Sequence, residues 1–586
     1  MVRRFLKCNL FESSHNKKSN FRCRAYHLLF FIILGFSFVF AKLVWLMIIQ
    51  HDMYVKRANQ QYIRIKELSP NRGLIYDRKQ RELAVNIEVN SLYGEPIKIV
   101  SPAKTSQQIA SVLKDSPDTI QKKLSGKKKF VWLRRKMDGK DASRINKMNL
   151  EGIGFVQEVK RFYPRASLAS HIIGFADIDN KGLAGVEGHF DKYMRGIPGE
   201  FTLNADAHQK LIYNNIKESV PGYNVVLTID EYLQYVTEKE LQVAVDKWHP
   251  EAAVAVMMEP YTGGILAMAN KPDYDPNYPG KYDSARRRNR AITDMYEPGS
   301  TFKVVAASAA LEEKLVTLNK RFDCGKGYIQ VGRKRIRDAH RHGVLSFLQV
   351  IQKSSNVGTI QIGNLLGKKR FYGYMWAYGF GQKTGIDIPG EISGYLARPE
   401  KWSGLSLACM SIGQEVGVTP LQIVRAYSVI ANGGLLMKPY IVSKITDKDG
   451  VAVKEFSPKV ARRVISKSTS DTMKAILKTV VQEGGTAINA AIEGNPVAGK
   501  TGTAQMIDPA TKRYSHKKYV SSFVGFVPVD NPRFVLIVVL YVPKGAIYGG
   551  TVAAPVFRSI SEQALQYLDV PLEKQPSSNK KQLVAR

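Results

Sequence analysis

Residues 298–314 read PGSTFKVVAASAALEEK. The run from Val304 to Leu311 is apolar and rich in alanine, the best helix former, and Pro298-Gly299-Ser300 opens it, so a helix is predicted over 301–314. Its start carries an S-x-x-K pattern, Ser300 and Lys303. Residues three apart share one helix face, which sets Lys303 beside the Ser300 hydroxyl. A serine hydroxyl is a weak nucleophile until a base takes its proton. A lysine can be that base once burial and neighbouring cations lower its pKa. The helix N-terminus adds partial positive charge where an oxyanion would form.

S-x-x-K alone is weak evidence, because Ser14 with Lys17, Ser101 with Lys104 and Ser125 with Lys128 share it. Those three lie in polar or turn-rich sequence with no apolar helix behind them, so the setting singles out Ser300. Two further elements follow it. Ser354-Ser355-Asn356 offers a second hydroxyl to pass a proton and an amide to hold a peptide, although such a triplet elsewhere is an ordinary turn or cap. Lys500-Thr501-Gly502-Thr503 offers a cation and hydroxyls suited to a terminal carboxylate, with a glycine that permits close backbone approach. A second Lys-Thr-Gly, at 383–385, lies between Gly381 and Pro389-Gly390 and reads as loop.

Around these motifs the sequence predicts an α+β domain. A strand is expected at 224–229, a helix at 230–248, and strands at 252–259 and 264–270 joined by the turn 260–263. A helix at 420–431 ends at Asn432-Gly433-Gly434. Strands at 521–527 and 534–542 flank the turn 528–532, so sheet strands come from both sequence ends with helices between. Residues 60–223, rich in charges, turns and short alternating segments, read as an elongated α+β module.

Residues 25–49 are apolar for long enough to cross a bilayer. Before them stand Arg3, Arg4, Lys7, Lys17, Lys18, Arg22 and Arg24 against one acid, Glu12. That bias puts the N-terminus in the cytoplasm and the remainder outside. No small-residue cleavage site follows, which favours an uncleaved anchor over a signal peptide. Lys42 within the span reads as a snorkelling side chain. The organisation expected is a basic tail (1–24), an anchor (25–49), a pedestal (50–223), a catalytic domain (224–570) and a polar, disordered tail (571–586).

The 586 residues carry a net charge of +35, yet no zinc-finger spacing, RNP-like aromatic motif or basic zipper organises it for nucleic acid. A solvated basic surface facing anionic lipid or envelope polymer is the simpler reading. Local basic runs occur at 122–129, 134–136 and 286–290. Four cysteines (Cys8, Cys23, Cys324, Cys409) have no metal-ligand spacing and form no disulfide framework; whether Cys324 and Cys409 meet is open.

The three motifs in this order are those of penicillin-binding proteins and serine β-lactamases. NRAITDMYEPGSTFK (289–303), IQKSSNVG (351–358), TGIDIPGE (384–391) and YGGTVAAPVF (548–557) resemble class B penicillin-binding proteins. RGLIYDRKQRELA (72–84), RFYPR (161–165) and GLAGVE (182–187) resemble the pedestal motifs of that class, with Gln80 where the family usually has glycine. Asn356 and Glu297-Pro298-Gly299 resemble the division-specific, FtsI-type septal branch rather than the elongation-specific one.

The resemblance implies a serine D,D-transpeptidase that cross-links peptidoglycan and is acylated by β-lactams. By it, Ser300 attacks the penultimate D-alanine carbonyl of a stem pentapeptide and Lys303 is the general base. Ser354 relays a proton, Asn356 holds substrate amide and Lys303, and Lys500, Thr501, Gly502 and Thr503 face the terminal carboxylate. Backbone N–H groups of Ser300 and Thr503 form the oxyanion hole. No metal or cofactor is implied. The partners implied are a D-Ala-D-Ala donor, an amine acceptor, a membrane-embedded glycan polymerase and other division proteins. A β-lactamase would need a deacylating glutamate; the E-x-x-L-N at Glu200 lies far upstream of Ser300 and is set aside as coincidence. A glycosyltransferase module is not supported, and a purely structural division protein would not need three complete motifs.

Overall fold

The computed structural model describes residues 17–68, 70–205, 211–508, 511 and 513–572; Cys8, Ser14 and residues 573–586 lie outside them. The chain divides into two compact units, Met1–Ser69 with Pro198–Ser219, and Pro70–Ile197 with Val220–Arg586.

In the first unit, helix α1 (Lys17–Val44) runs through a π-helical turn (Trp45–Ile49) into α2 (His51–Tyr62). The 29 residues Phe21–Ile49 are long and apolar enough to cross a membrane, and none of the apolar window is buried. At about 1.5 Å per residue they span roughly 44 Å, more than the ~30 Å hydrocarbon layer needs. Phe31, Phe36, Phe38 and Phe40 project freely from this helix, which only an apolar surrounding makes favourable. Strands Ile63–Leu68, Gly199–Ala205 and Leu211–Lys217 form an antiparallel sheet with Gly199–Ala205 in the middle; the E-x-x-L-N of Glu200 is part of that middle strand.

Among the described residues the second unit contains two large sheets and three two-stranded ones. In the first, Ile75–Tyr76 pairs in parallel with Asn224–Leu227, which pairs with Val442–Thr446, while Glu82–Gly94 pairs with Ile153–Phe162 over ten residue pairs. The pedestal motifs meet in one buried knot. Arg72 Nε and Arg161 Nε each lie 2.6 Å from Glu187, and Arg72 Nη1 lies 2.7 Å from Asp191. Burial alone would lower Arg72 and raise Glu187, but the opposed charges outweigh it, raising the guanidinium and holding the carboxyl below its usual range. Gln80 takes φ +63°, the left-handed region where glycine is unstrained. Asp77 Oδ1 still closes that turn, accepting from Lys79 N (2.7 Å) and Arg81 N (2.8 Å).

The second sheet is antiparallel, formed by β1 (Ala252–Met258), β2 (Ile265–Lys271), β3 (Ala498–Ile507), β4 (Tyr514–Val527) and β5 (Phe534–Tyr541) in the order β2-β1-β5-β4-β3. β1 and β5 are buried at every residue because helices cover them, which is why FVLIVVLY is uniformly apolar instead of alternating. Helix α3 (Glu231–Trp248) starts where Asp230 accepts from Tyr232 N and Leu233 N, and α4 (Pro420–Ala431) starts with a capping box of Thr419 and Gln422. The Lys-Thr-Gly-Thr sequence is part of β3, the edge strand of this sheet.

Candidate active site

The turn that carries Ser300 differs in detail from the helix expected. Gly299–Phe302 is a 3-10 turn, and the α-helix begins only at Lys303, running to Glu312. Close glycine packing sets this turn. Gly299 (φ +55°) donates its N–H to Gly413 O at 3.0 Å, and a Cβ on Gly413 would fall 2.1 Å from Gly299 O. Thr301 Oγ1 donates to Pro298 O and Tyr427 OH to Thr301 O, both at 2.9 Å, so α4 buttresses the turn. Ser300 is half-buried.

Lys303 is fully buried, and its Nζ donates to Ser354 O (2.6 Å), Ser354 Oγ (3.3 Å) and Asn356 Oδ1 (2.7 Å). Burial lowers its pKa to about 7, against a smaller opposing pull from Asp338. Ser354 stands at φ +58°, a conformation a serine adopts at some strain, which turns both its oxygens toward the ammonium. Next to it the helix Asn356–Ala377 begins. Ser355 Oγ accepts from Gly358 N (3.0 Å) and donates to Asp338 Oδ2 (2.7 Å). Asp338 Oδ1 accepts from Asn356 N and from Val357 N, the latter at 3.0 Å. A carboxylate at a helix N-terminus is favourable in itself, and here it fixes the residue whose side chain holds Lys303.

The third motif comes in from β3. A Cβ on Gly502 would lie 2.4 Å from Ser522 Oγ, 2.9 Å from Thr301 Cγ2 and 3.0 Å from Pro298 O. The glycine therefore makes room for the protein's own Pro298–Thr301 turn, where the sequence suggested only an approaching substrate. Thr501 Oγ1 pairs with Thr486 Oγ1 at 3.0 Å, and Thr503 Oγ1 accepts from Gly549 N at 3.2 Å. Lys500 is fully buried, and its Nζ has no hydrogen-bond partner among the described residues. Burial, and then the neighbouring Lys303 charge, hold it well below the usual lysine value. The three motifs are thus neighbours: Lys303 bonds Ser354 and Asn356, its charge reaches Lys500, and Gly502 packs on the turn that carries Ser300.

Three contributors escaped the sequence. Asp338 caps a helix 18 residues further on and has no local signature. Thr486 lies outside any motif. Glu297 was noted only as part of a lead-in; its Oε1 accepts from Glu415 N (2.9 Å) and Tyr514 OH (3.2 Å), its Oε2 is buried without a partner, and burial pushes the carboxyl up. With Gln505, Met506 and Tyr514 it lines a cavity of about 620 Å³. The decoys are accounted for: the Lys-Thr-Gly at 383–385 is loop clamped by Glu391, which accepts from Thr384 N (2.6 Å) and Gly385 N (3.0 Å). Ser101 and Ser125 stand at the ends of short pedestal helices. Cys324 and Cys409 are buried free thiols, and Ser355 Oγ lies 3.4 Å from Cys324 Sγ.

Residues 253–562 match the family model of the penicillin-binding protein transpeptidase domain, and residues 67–227 that of the penicillin-binding protein dimerisation domain. The chain is 36% identical over 575 residues to Stage V sporulation protein D of Bacillus subtilis (strain 168), covering 96% of this chain and 88% of that one. It is 32% identical over 562 residues to peptidoglycan D,D-transpeptidase FtsI of Escherichia coli (strain K12), covering 94% and 93%. The structure resembles penicillin-binding protein 3 from Mycobacterium tuberculosis complexed with ampicillin, with a TM-score of 0.70, 30% identity, and 87% of this chain and 98% of that one covered.

Proposed function

This chain belongs to the class B penicillin-binding proteins and is a peptidoglycan D,D-transpeptidase; from that premise we propose that Ser300, Lys303, Ser354, Asn356 and Lys500 carry the reaction, with Thr501, Gly502 and Thr503 binding the substrate. The observation that supports this most is the fully buried Lys303 ammonium, three residues after Ser300, bonded to both Ser354 and Asn356.

With its pKa near 7, Lys303 is neutral in a useful fraction of molecules and takes the Ser300 proton as Oγ attacks the penultimate D-alanine carbonyl. The C–N bond to the terminal D-alanine breaks, and Ser354 passes the proton to the departing nitrogen. An acceptor amine then attacks the Ser300 ester. The ester C–O bond breaks, the amine's proton returns to Ser300 Oγ, and the cross-link leaves as an amide. Backbone N–H groups of Ser300 and Thr503 stabilise the oxyanion of both steps. The substrate's terminal carboxylate gives Lys500 the counter-charge that its burial withholds. β-Lactams are bound as in the rest of the family and would acylate the same serine. A fluorescent penicillin labels the native chain and fails to label Ser300→Ala; labelling that persists in the variant removes Ser300 from this role.

Within the family we assign the enzyme to the division septum, on Asn356 and the Glu297-Pro298-Gly299 lead-in, with an elongation role as the alternative. The identity to a sporulation protein favours a second reading, work at a sporulation stage. In this scheme the tail at 1–24 is cytoplasmic, 25–49 anchors a pedestal (50–223) and catalytic domain (224–570) on the outer face, and a separate membrane-embedded polymerase supplies the glycan. A tagged copy at mid-cell in growing cells supports the septal role. Side-wall fluorescence, or signal confined to sporulating cells, redirects it.

A further inference from the structure

A hairpin beside the cleft carries the most concentrated uncompensated charge near the site. Strands Tyr328–Val331 and Lys334–Arg337 pair around an exposed turn. From Lys326 to His342 the chain holds Lys326, Arg333, Lys334, Arg335, Arg337 and Arg341, with His340 and His342, against a single acid, Asp338. All six Lys and Arg are exposed, and among the described residues none forms an ion pair, whereas Arg134, Arg135, Arg288 and Arg290 in other basic runs each have a carboxylate partner. Asp338 does not compensate them, because both its oxygens are taken by the start of the Asn356 helix.

The hairpin's position is as specific as its charge. At its root, Asn356 Nδ2 donates to Arg337 O at 2.8 Å, so the element runs directly into the group that holds Lys303. At its turn, Lys334 Nζ lies 6.0 Å from the Tyr514 ring, and Tyr514 OH donates to Glu297, three residues before Ser300. The hairpin therefore reaches from Asn356, beside Ser354 and Lys303, to Tyr514, which is bonded to the residue leading into the Ser300 turn. An acceptor amine must approach the Ser300 ester along the path by which the leaving amine departed, since the second half-reaction reverses the geometry of the first. That path is the Ser354 side.

We propose that the 326–342 hairpin docks the acceptor strand, gripping its stem peptide by the free carboxylates while the amine reaches the Ser300 ester. The proposal rests on the roles given above for Ser300 and Ser354. Stem peptides carry several carboxylates and one reacting amine, so a cationic rim attracts the strand. The same positive field disfavours the protonated amine and so increases the neutral, nucleophilic form. Six exposed cations act over about a Debye length, ~8 Å at physiological salt, so the grip weakens as salt rises.

The test uses full-length protein in detergent with a pentapeptide donor ending in D-Ala-D-Ala. Two acceptors compete: a tetrapeptide with free carboxylates and the same peptide fully amidated. Native protein prefers the acidic acceptor, and the preference falls with salt. In the double variant Arg333→Glu/Arg335→Glu that preference drops by about five-fold or more, as expected when like charge replaces opposite charge at a docking rim. Arg333→Lys/Arg335→Lys keeps it. Penicillin acylation, which needs no acceptor, reports that the variant is folded and its serine site intact. Intact acylation with unchanged acceptor preference overturns the docking role alone. Loss of binding to phosphatidylglycerol vesicles with unchanged preference also overturns it, assigning the patch to lipid. Absence of Ser300 acylation in the native protein instead removes the reading beneath it.

Discussion

Arg72 and Arg161 lie buried in the pedestal, each 2.6 Å from Glu187, whereas Lys500, buried as completely near Lys303, meets no acceptor among the described residues. Both places remove cations from water, and only the first gives them a counter-charge within the chain. A paired buried cluster fixes the parts that hold it; here it joins the segments around residues 72, 161 and 187. An unpaired cation leaves its demand to be met from outside, by a group that arrives with a carboxylate. On the proposed mechanism, the paired charge holds the fold and the unpaired charge is kept for substrate.

The largest expected effect comes from the cleft. Lys303→Met removes the base and slows penicillin acylation by about 10⁴-fold or more, measured under single-turnover conditions. Its effect on Tm is small, because the loss of a buried ammonium that has no carboxylate partner among the described residues offsets the loss of the donor to Ser354 O and Asn356 Oδ1. A fall in Tm with acylation preserved would merge the two classes of charge.

Glu187→Ala acts in the opposite sense. It strands Arg161, leaves Arg72 with Asp191 as its one carboxylate among the described residues, and costs about 3–5 kcal/mol, read as a lowered Tm or denaturant midpoint. Acylation of the protein that remains folded stays near the native rate. Selective loss of acylation in a stably folded variant would make the pedestal knot part of the chemistry.

Acidity divides the two regions again. In the proposed mechanism Lys303 works as a neutral amine, so acylation is expected to rise about ten-fold per pH unit up to about 7 and then level. Its folded value lies below the ordinary 10.5, so between about 7 and 10.5 the unfolded state binds more protons and this group's contribution to stability rises with pH. Glu187 is held below its ordinary 4.5, so its contribution is full above that value and is lost as pH falls through the lower folded one. A rate profile flat from pH 5 to 8 would place the base elsewhere.

The smallest effect belongs to a position outside both clusters. Gln80→Gly relieves a left-handed φ in a turn already closed by Asp77 and stabilises by up to about 1 kcal/mol, visible as a small rise in Tm. A loss of stability would show that the Gln80 side chain supports the pedestal.

What the sequence revealed follows from the range of each signal. The uniform apolar run at 534–541, the alanine-rich helix after Ser300 and the Asn432-Gly433-Gly434 helix stop are local, and the α+β architecture and membrane-length helix were readable from such features. The motifs were readable because each pairs residue types that make chemical sense within four positions. Asp338, Thr486 and the parallel pairing of Ile75–Tyr76 with Asn224–Leu227 act across long stretches of chain and leave no pattern at either end. Gly502 was noticed for an approaching substrate alone, since nothing in Lys-Thr-Gly-Thr announces that Pro298 and Thr301 will press against it. The cationic hairpin was lost in a basic chain until the structure showed which cations had partners.

The most direct measurement is to treat the native protein briefly with penicillin, digest it, and locate the adduct by mass spectrometry. Expected is one modified peptide carrying the added mass on Ser300. An adduct on Ser354, Ser355 or another residue, with Ser300 unmodified, would contradict the assignment of the nucleophile and the cleft built around it.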